Sequence, residues 1–237
     1  MGTSVFIQLD ATYSGKRKDY INKFCVILVK CEREIIYFDI WDKENFTNYV
    51  TLFNFLRSKG IEILGLTSDW HTSCVSAFKY TNPNKPHQRC LVHTKRYCEQ
   101  RLSKNPQTEA GAVLLKLINQ LSSISNRNEK AKWLYKFYAF DIKYTLFIES
   151  KTYYINSEGK RSWWYKHKKL RQAFKSIIKT QDNLFKYLDY TNIRPETNNL
   201  EGEFSHVKHK ILSHRGLKKD RKIAVVKWYL FLKMIQR

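Results

Sequence analysis

The chain has 237 residues, with 43 Lys or Arg against 21 Asp or Glu and a formal net charge of +22 at pH 7. Hydrophobic residues at 43% and aromatics at 15% are enough to build a core, which excludes a disordered basic tail. Eight Gly and four Pro exclude collagen-like or low-complexity character.

No apolar run reaches the roughly 18–20 residues of a bilayer span, and no basic-then-apolar leader opens the chain. The expectation is a soluble, intracellular protein with a polyanionic partner. No basic amphipathic helix with exposed Trp or Leu stands apart from the core pattern, so nucleic acid is expected and a membrane is not. Cys25, Cys31, Cys74, Cys90 and Cys98 are odd in number and scattered, and read as free thiols.

In chain order, residues 4–9 form a short apolar run that stops at Asp10. Residues 23–30 and 34–41 are two further strand-like runs joined by a tight link, an antiparallel meander. Asp42 stands where an N-cap belongs, and Phe46, Tyr49, Val50, Phe53 and Leu56 recur at helical spacing up to Gly60. Residues 61–67 read as a fourth strand, ended by Ser68-Asp69 and parallel to one strand of the meander. A helix over 70–79 and a short strand over 88–93 follow. The order β-β-β-α-β-α-β is that of a ribonuclease H-like fold. The fold class expected is α/β, a five-stranded mixed sheet flanked by helices, with a mostly helical insertion before the last helices.

Helices are expected over 111–121 and 129–140, a strand over 146–154 with a hairpin turn at 157–159, and helical spacing over 166–188. A helix opened by Thr197 and capped by Gly216 precedes a last helix over 219–235. This divides the chain into a core first part (1–95), an insertion (96–195) and C-terminal core helices (196–237).

Asp10 and Asp69 each follow an apolar strand as it ends. In this order of elements those strands are neighbours, which sets both carboxylates at one edge of the sheet. Two carboxylates a few ångströms apart repel unless a cation lies between them. The plainer reading makes each a cap of the turn that follows. A third acid, Glu201, opens a helix whose later turns are densely basic. The helix dipole favours a first-turn glutamate anyway, but Gly202 beside it costs about 1 kcal/mol relative to Ala and would let a metal or a DNA backbone approach. Glu203 is its rival, and two positions on it points away from Glu201.

Leu-Asp10-Ala-Thr-Tyr, Thr-Ser-Asp69-Trp, Gln88-Arg-Cys90-Leu-Val-His93 and Thr197-Asn-Asn-Leu-Glu201-Gly together resemble the successive signatures of the DDE transposases of the Mutator-like superfamily, its bacterial insertion-sequence branch above all. Intervals of 58 and 131 residues separate the three acids, and the second suits that family's helical insertion. The resemblance implies a metal-binding catalytic triad of Asp10, Asp69 and Glu201. It also implies two Mg²⁺ ions, with Mn²⁺ as a substitute, and in-line cleavage and strand transfer of DNA. The implied partners are transposon ends and target DNA, in a homodimer or larger assembly, in a prokaryotic cytoplasm at the nucleoid. Trp70 departs from the pattern, because a small residue, often glycine, usually follows the second aspartate there.

Cys90 and His93 match the family's Cys-x-x-His element. Three readings stay open for them: a zinc site with His87 and Cys98, a role beside the active site, or packing. Alternation on a straight strand sets Cys90 and His93 on opposite faces, which weighs against zinc. Arg161 to Lys169 interleaves Trp163, Trp164 and Tyr165 with cations, a pattern for stacking bases and neutralising phosphates or for an apolar anchor with a basic rim. In the family an insertion aromatic stabilises a flipped base, which makes Trp163 and Trp164 the candidates. Lys208, Lys210, Arg215, Lys218 and Lys219 are the phosphate-contact candidates. Members usually carry an N-terminal module that reads the transposon ends. This sequence starts almost at its first strand, so weak end recognition with retained backbone binding is expected. The alternatives are a transposase-derived DNA-binding protein without catalysis and a ribonuclease H-type nuclease.

Overall fold

The computed structural model describes residues 3–15, 23–213 and 216–236. It falls into two compact units, Met1–Cys90 with Asp189–Arg237, and Leu91–Leu188. In the first, β1 (Thr3–Ser14), β2 (Phe24–Cys31), β3 (Glu34–Trp41), β4 (Ile61–Ser68) and β5 (His87–Arg89) form one sheet in the order β3-β2-β1-β4-β5. The β1–β2 and β2–β3 pairs are antiparallel, and the β1–β4 and β4–β5 pairs are parallel.

Helices cover both faces of this mixed sheet, and the β2 sequence shows why. Phe-Cys-Val-Ile-Leu-Val is an unbroken apolar run, as expected where neither face meets water. Cys25, Ile27 and Val29 pack with Tyr49, Leu52 and Phe53 of α1 (Phe46–Ser58) and Cys74, Ala77 and Phe78 of α2 (Thr72–Thr81). Phe24, Val26 and Leu28 point the other way, onto Leu200, Phe204 and Val207 of a later helix over Asn198–Ser213 and Val226 and Leu230 of one over Lys219–Ile235. The cap of α1 is Asn45, whose Oδ1 accepts the Asn48 N–H at 2.8 Å. Asp42, the expected cap, instead pairs with Lys219 at 2.8 Å.

The second unit holds α3 (Leu91–Leu102), α4 (Glu109–Asn119), α5 (Arg127–Ile148), a β6–β7 hairpin (Lys151–Ile155 and Arg161–Tyr165) and α6 (Lys168–Thr180). Trp133, Phe137, Phe140, Phe174 and Phe185 fill its core. The remaining helices, α7 (Asn198–Ser213) and α8 (Lys219–Ile235), belong to the first unit.

Three expectations are corrected. The strand expected over 88–93 is three residues long, and the chain enters α3 at Leu91. The strand expected from 146 begins only at Lys151, because α5 runs on to Ile148. The helical stretch expected to reach 188 ends at Thr180 and continues as two short 3-10 turns. No helix among the described residues is long and apolar enough to cross a membrane.

His87 on β5 lies between the rings of Trp70 and Phe78, at 4.6 and 5.2 Å, with Nε2 2.8 Å from Ser68 Oγ. Burial, helped by the charge of Lys79, pushes its pKa down from 6.5 to about 3, so the folded protein keeps the ring neutral. The unfolded chain takes up a proton below its own pKa near 6.5, so stability falls as pH drops from there toward 3. Once the unfolded ring is protonated, this one group gives a slope of about 1.4 kcal/mol per pH unit. Urea midpoints of the wild type should therefore fall with acid more steeply than those of His87→Gln; parallel pH profiles would exclude the buried neutral ring.

Candidate active site

The two aspartates are set by strand register. On β1 and β4, Gln8 is level with Thr67, and two residues further along each chain stand Asp10 and Asp69. Neighbouring strands run about 4.8 Å apart, so the two positions are level where β4 ends; β1, expected to stop at Asp10, instead runs on to Ser14 against β2. Asp10 is still on β1 opposite Leu28, and only 4% exposed. Its Oδ1 accepts the Ala11 N–H at 2.8 Å. Asp69 lies one residue past β4, where its Oδ1 accepts the His71 N–H at 3.0 Å and closes the turn into α2. The capping role read for Asp69 is thus real, and it leaves the second carboxylate oxygen outside that turn.

Helix α7 brings the third acid. Thr197, fully buried just ahead of the helix, has its hydroxyl oxygen 3.4 Å from Asp10 Oδ2 and 3.4 Å from Cys90 Sγ. One side chain therefore ties the strand of the first aspartate to the start of the helix whose first turn holds Glu201. The rivalry between the two glutamates has a structural answer in Glu203. It accepts from Lys30 at 2.8 Å and from Lys233, with Lys30 itself buried on β2. Burial works against the Glu203 carboxylate, but the two lysines hold it below its ordinary pKa. Lys30 also donates to the Asn199 carbonyl at 3.4 Å, which fastens the first turn of α7 to the sheet. A Cβ added at Gly202 would meet nothing within 4 Å, so packing within the chain does not demand that glycine.

Asp10 and Asp69 offer the oxygen donors that a hard divalent cation takes, from level positions on adjacent strands. Glu201 is not gathered with them: among the described residues no three His, Cys, Asp or Glu side chains sit close enough to hold a metal ion. The pair fits a cation, and the complete triad does not form in this arrangement.

Among the described residues no three His or Cys side chains gather for zinc. Cys90 follows β5, its N–H on the Ser68 carbonyl at 2.8 Å, while His93 lies on α3 and Cys98 in the core of the second unit. The opposite-face argument fails with the strand it assumed.

Glu44 was not singled out by its sequence pattern, since it stands in a turn among other polar residues. Its side chain is 6% exposed, accepts from the Tyr49 hydroxyl and lies 3.7 Å from His71 Nδ1. The Cys74 thiol registers the neighbourhood: burial raises its pKa first, then Asp69, then Glu44 and Asp10, against a hydrogen bond with Ser68. Three carboxylates thus act on one buried point under the sheet edge.

Trp163 and Trp164 lie on β7, each 50% exposed, so neither is the apolar anchor of the alternative reading. Trp163 is paired with Tyr153, and Lys151 Nζ lies 4.0 Å from its ring centre. Trp164, opposite Thr152, faces the other side of the hairpin. Lys208, Lys210 and Lys218 are exposed, and Lys219 is held by Asp42. Arg215 lies outside the described residues.

Trp70 carries φ of +75°, a conformation that costs a residue with a Cβ about 1–2 kcal/mol and that glycine adopts freely. Its ring against His87 offsets that strain. Trp70→Ala keeps the strain and loses the ring, whereas Trp70→Gly loses both. Chemical denaturation should rank Trp70→Gly above Trp70→Ala by about 1 kcal/mol; the reverse order would remove the strain from the account.

Residues 5–151 match the family described as "Transposase, Mutator family". That span includes Asp10, Asp69, Cys90 and His93 and ends before Trp163, Trp164 and Glu201. No curated protein matches the chain.

Proposed function

The chain belongs to the Mutator family of transposases, and from that membership we propose that it is a DDE-type catalytic domain on a ribonuclease H-like sheet. It would cleave and join DNA strands at the edge that carries Asp10 and Asp69, during transposition of an insertion sequence. The observation that supports this most is the register of β1 and β4, which levels two aspartates on adjacent parallel strands. Bound there with Glu201, a pair of Mg²⁺ ions, or Mn²⁺ in their place, supplies the charge stabilisation that in-line displacement needs.

The chain's own residues orient and neutralise. Ala11 and Thr197 fix the Asp10 carboxylate, and the turn at His71 fixes Asp69. Lys30 and Lys233 hold Glu203 and with it the first turns of α7, the helix that would present Glu201 to the two aspartates. Lys208, Lys210 and Lys218 would neutralise phosphates, and the exposed hairpin would stack on bases through Trp163 or Trp164.

A second reading, a DNA-binding relict without catalysis, draws on the absence of a gathered triad among the described residues and on the bulky Trp70 beside Asp69.

Nicking and strand transfer on supercoiled plasmid at low salt, with Mg²⁺ or Mn²⁺, separates the two. The wild type should cut. Asp10→Asn, Asp69→Asn and Glu201→Gln should each lose the cutting while retaining plasmid affinity. Glu203→Gln should lower stability by about 3 kcal/mol, because it deprives buried Lys30 of its counter-charge, and still cut while folded. Cutting by Glu201→Gln at the wild-type rate would remove that residue from the site. Binding without cutting by the wild type would favour the relict.

A further inference from the structure

Helix α5 buries Trp133, Phe137, Phe140, Tyr144 and Ile148 on one side and is apolar on the opposite side as well. There Tyr135 is 77% exposed, Tyr138 49%, Ile142 86% and Leu146 87%. Spacing of three and four residues makes them one stripe, with exposed Ala131 and Ala139 in line. Ile142 and Leu146 are the most exposed large apolar side chains among the described residues. The sequence predicts no basic helix with exposed Trp or Leu, so Leu146 among the lysines of α5 is a correction as well as a finding. The four large side chains expose on the order of 600 Å², at the upper end of what a lone protein shows and about three-quarters of one partner's share of a standard interface.

The stripe runs along the lip of a groove. Tyr135 and Ala139 line it together with Val113 and Leu117 of α4, and its volume is about 410 Å³. Its cations are Lys116 of α4 and Lys136 and Lys143 of α5. Its carboxylate, Glu109, is already taken, accepting from Lys143 at 3.0 Å and from the Tyr144 hydroxyl at 2.6 Å. With 3.6 residues per turn, Lys132, Lys136 and Lys143 follow the stripe along its groove side. Lys116, Lys132 and Lys136 are exposed and have no carboxylate partner among the described residues.

We propose that this surface docks an acidic amphipathic helix of a partner protein. Its apolar side lies on the α5 stripe and its carboxylates meet Lys116, Lys132 and Lys136. The assignment comes from the second unit alone and does not depend on the catalytic reading. Helix-in-groove recognition anchors through side chains at three- and four-residue spacing, the spacing the stripe offers. The lysines select the sign of the partner: carboxylates complement them, whereas a second copy of this chain, at net charge +22, brings lysine against lysine. Ile142 and Leu146 give a nucleic acid neither a ring to stack on nor a donor for phosphate. The concave wall between α4 and α5 suits an inserted helix better than a flat lipid surface.

Fluorescence anisotropy on the full chain, at physiological salt to screen diffuse attraction, tests this with synthetic helices of about 16 residues. The probe carries leucines at three- and four-residue spacing and glutamates on both flanks of that stripe. One control peptide has alanine in place of the leucines, and the other has lysine in place of the glutamates. The wild type should bind the probe at least about tenfold more tightly than either control. Ile142→Gln should weaken probe binding at least about tenfold, with its circular dichroism melt unchanged because the side chain is exposed. Lys136→Glu should weaken it about fivefold, and Lys179→Glu, on α6, should leave it as it is. A wild type that does not bind the probe, equal binding of the alanine control, or equal effects of Lys136→Glu and Lys179→Glu overturns the proposal. So does an Ile142→Gln that keeps its probe affinity but loses plasmid binding or flotation with phosphatidylserine vesicles, since the stripe would then serve DNA or a lipid surface.

Discussion

The parallel pairing of β1 with β4 is the constraint on which the rest of the site depends. A β-strand has a period of two, so slipping the register by one residue would turn one strand's side chains to the opposite face relative to its neighbour. Burial on both sides prevents the slip: Ile7, Leu9 and Leu66 pack with α1 and α2 on one face, while buried Thr67 donates to the Arg194 carbonyl on the other. The same register that fills the core makes Asp10 and Asp69 level. The levelling of the two aspartates is thus a by-product of core packing, held as firmly as the core itself.

The third acid arrives by a different route and is held differently. It returns after 131 residues, on a helix that no strand pairing can position. Leu200, Phe204 and Val207 pack α7 on β2, and polar contacts fix its start: the Thr197 hydroxyl at Asp10 and the Lys30–Glu203–Lys233 group beneath the first turns. A buried ion group adds little net stability against an apolar equivalent, yet breaking it is costly. Its value here is positional, since Glu203 is tied to Lys30 on the sheet and steadies the helix that carries Glu201.

Much of this could be read from the residues. The apolar runs of β2, β3 and β4 and the helical spacing of α8 mark their limits almost to the residue, because burial leaves a trace in the sequence, whereas β1, read as stopping at Asp10, runs on to Ser14. Where that trace fades, the reading failed. Helix α3 buries Leu91, Thr94, Cys98 and Leu102 along a narrow line in an otherwise polar segment, so only a strand was seen before it. Helix α5 carries Tyr135, Ile142 and Leu146 on its exposed side, and the last of these reads as the start of a strand. The order of Asp10, Asp69 and Glu201 was legible. The tasks of Thr197 and Glu44 were not, because a hydroxyl that bridges two elements and a carboxylate tucked under a tyrosine leave no spacing in the chain.

The account rests on the claim that Asp10 and Asp69 share a cation, and Mn²⁺ binding to the full chain, followed by electron paramagnetic resonance without DNA, tests it apart from any activity. Wild type and Glu203→Gln should bind Mn²⁺ alike, and Asp69→Asn should bind at least about tenfold more weakly, as expected when one of few carboxylate ligands is lost. Equal binding by wild type and Asp69→Asn would contradict the claim and leave the two aspartates as turn-capping residues on a well-packed sheet.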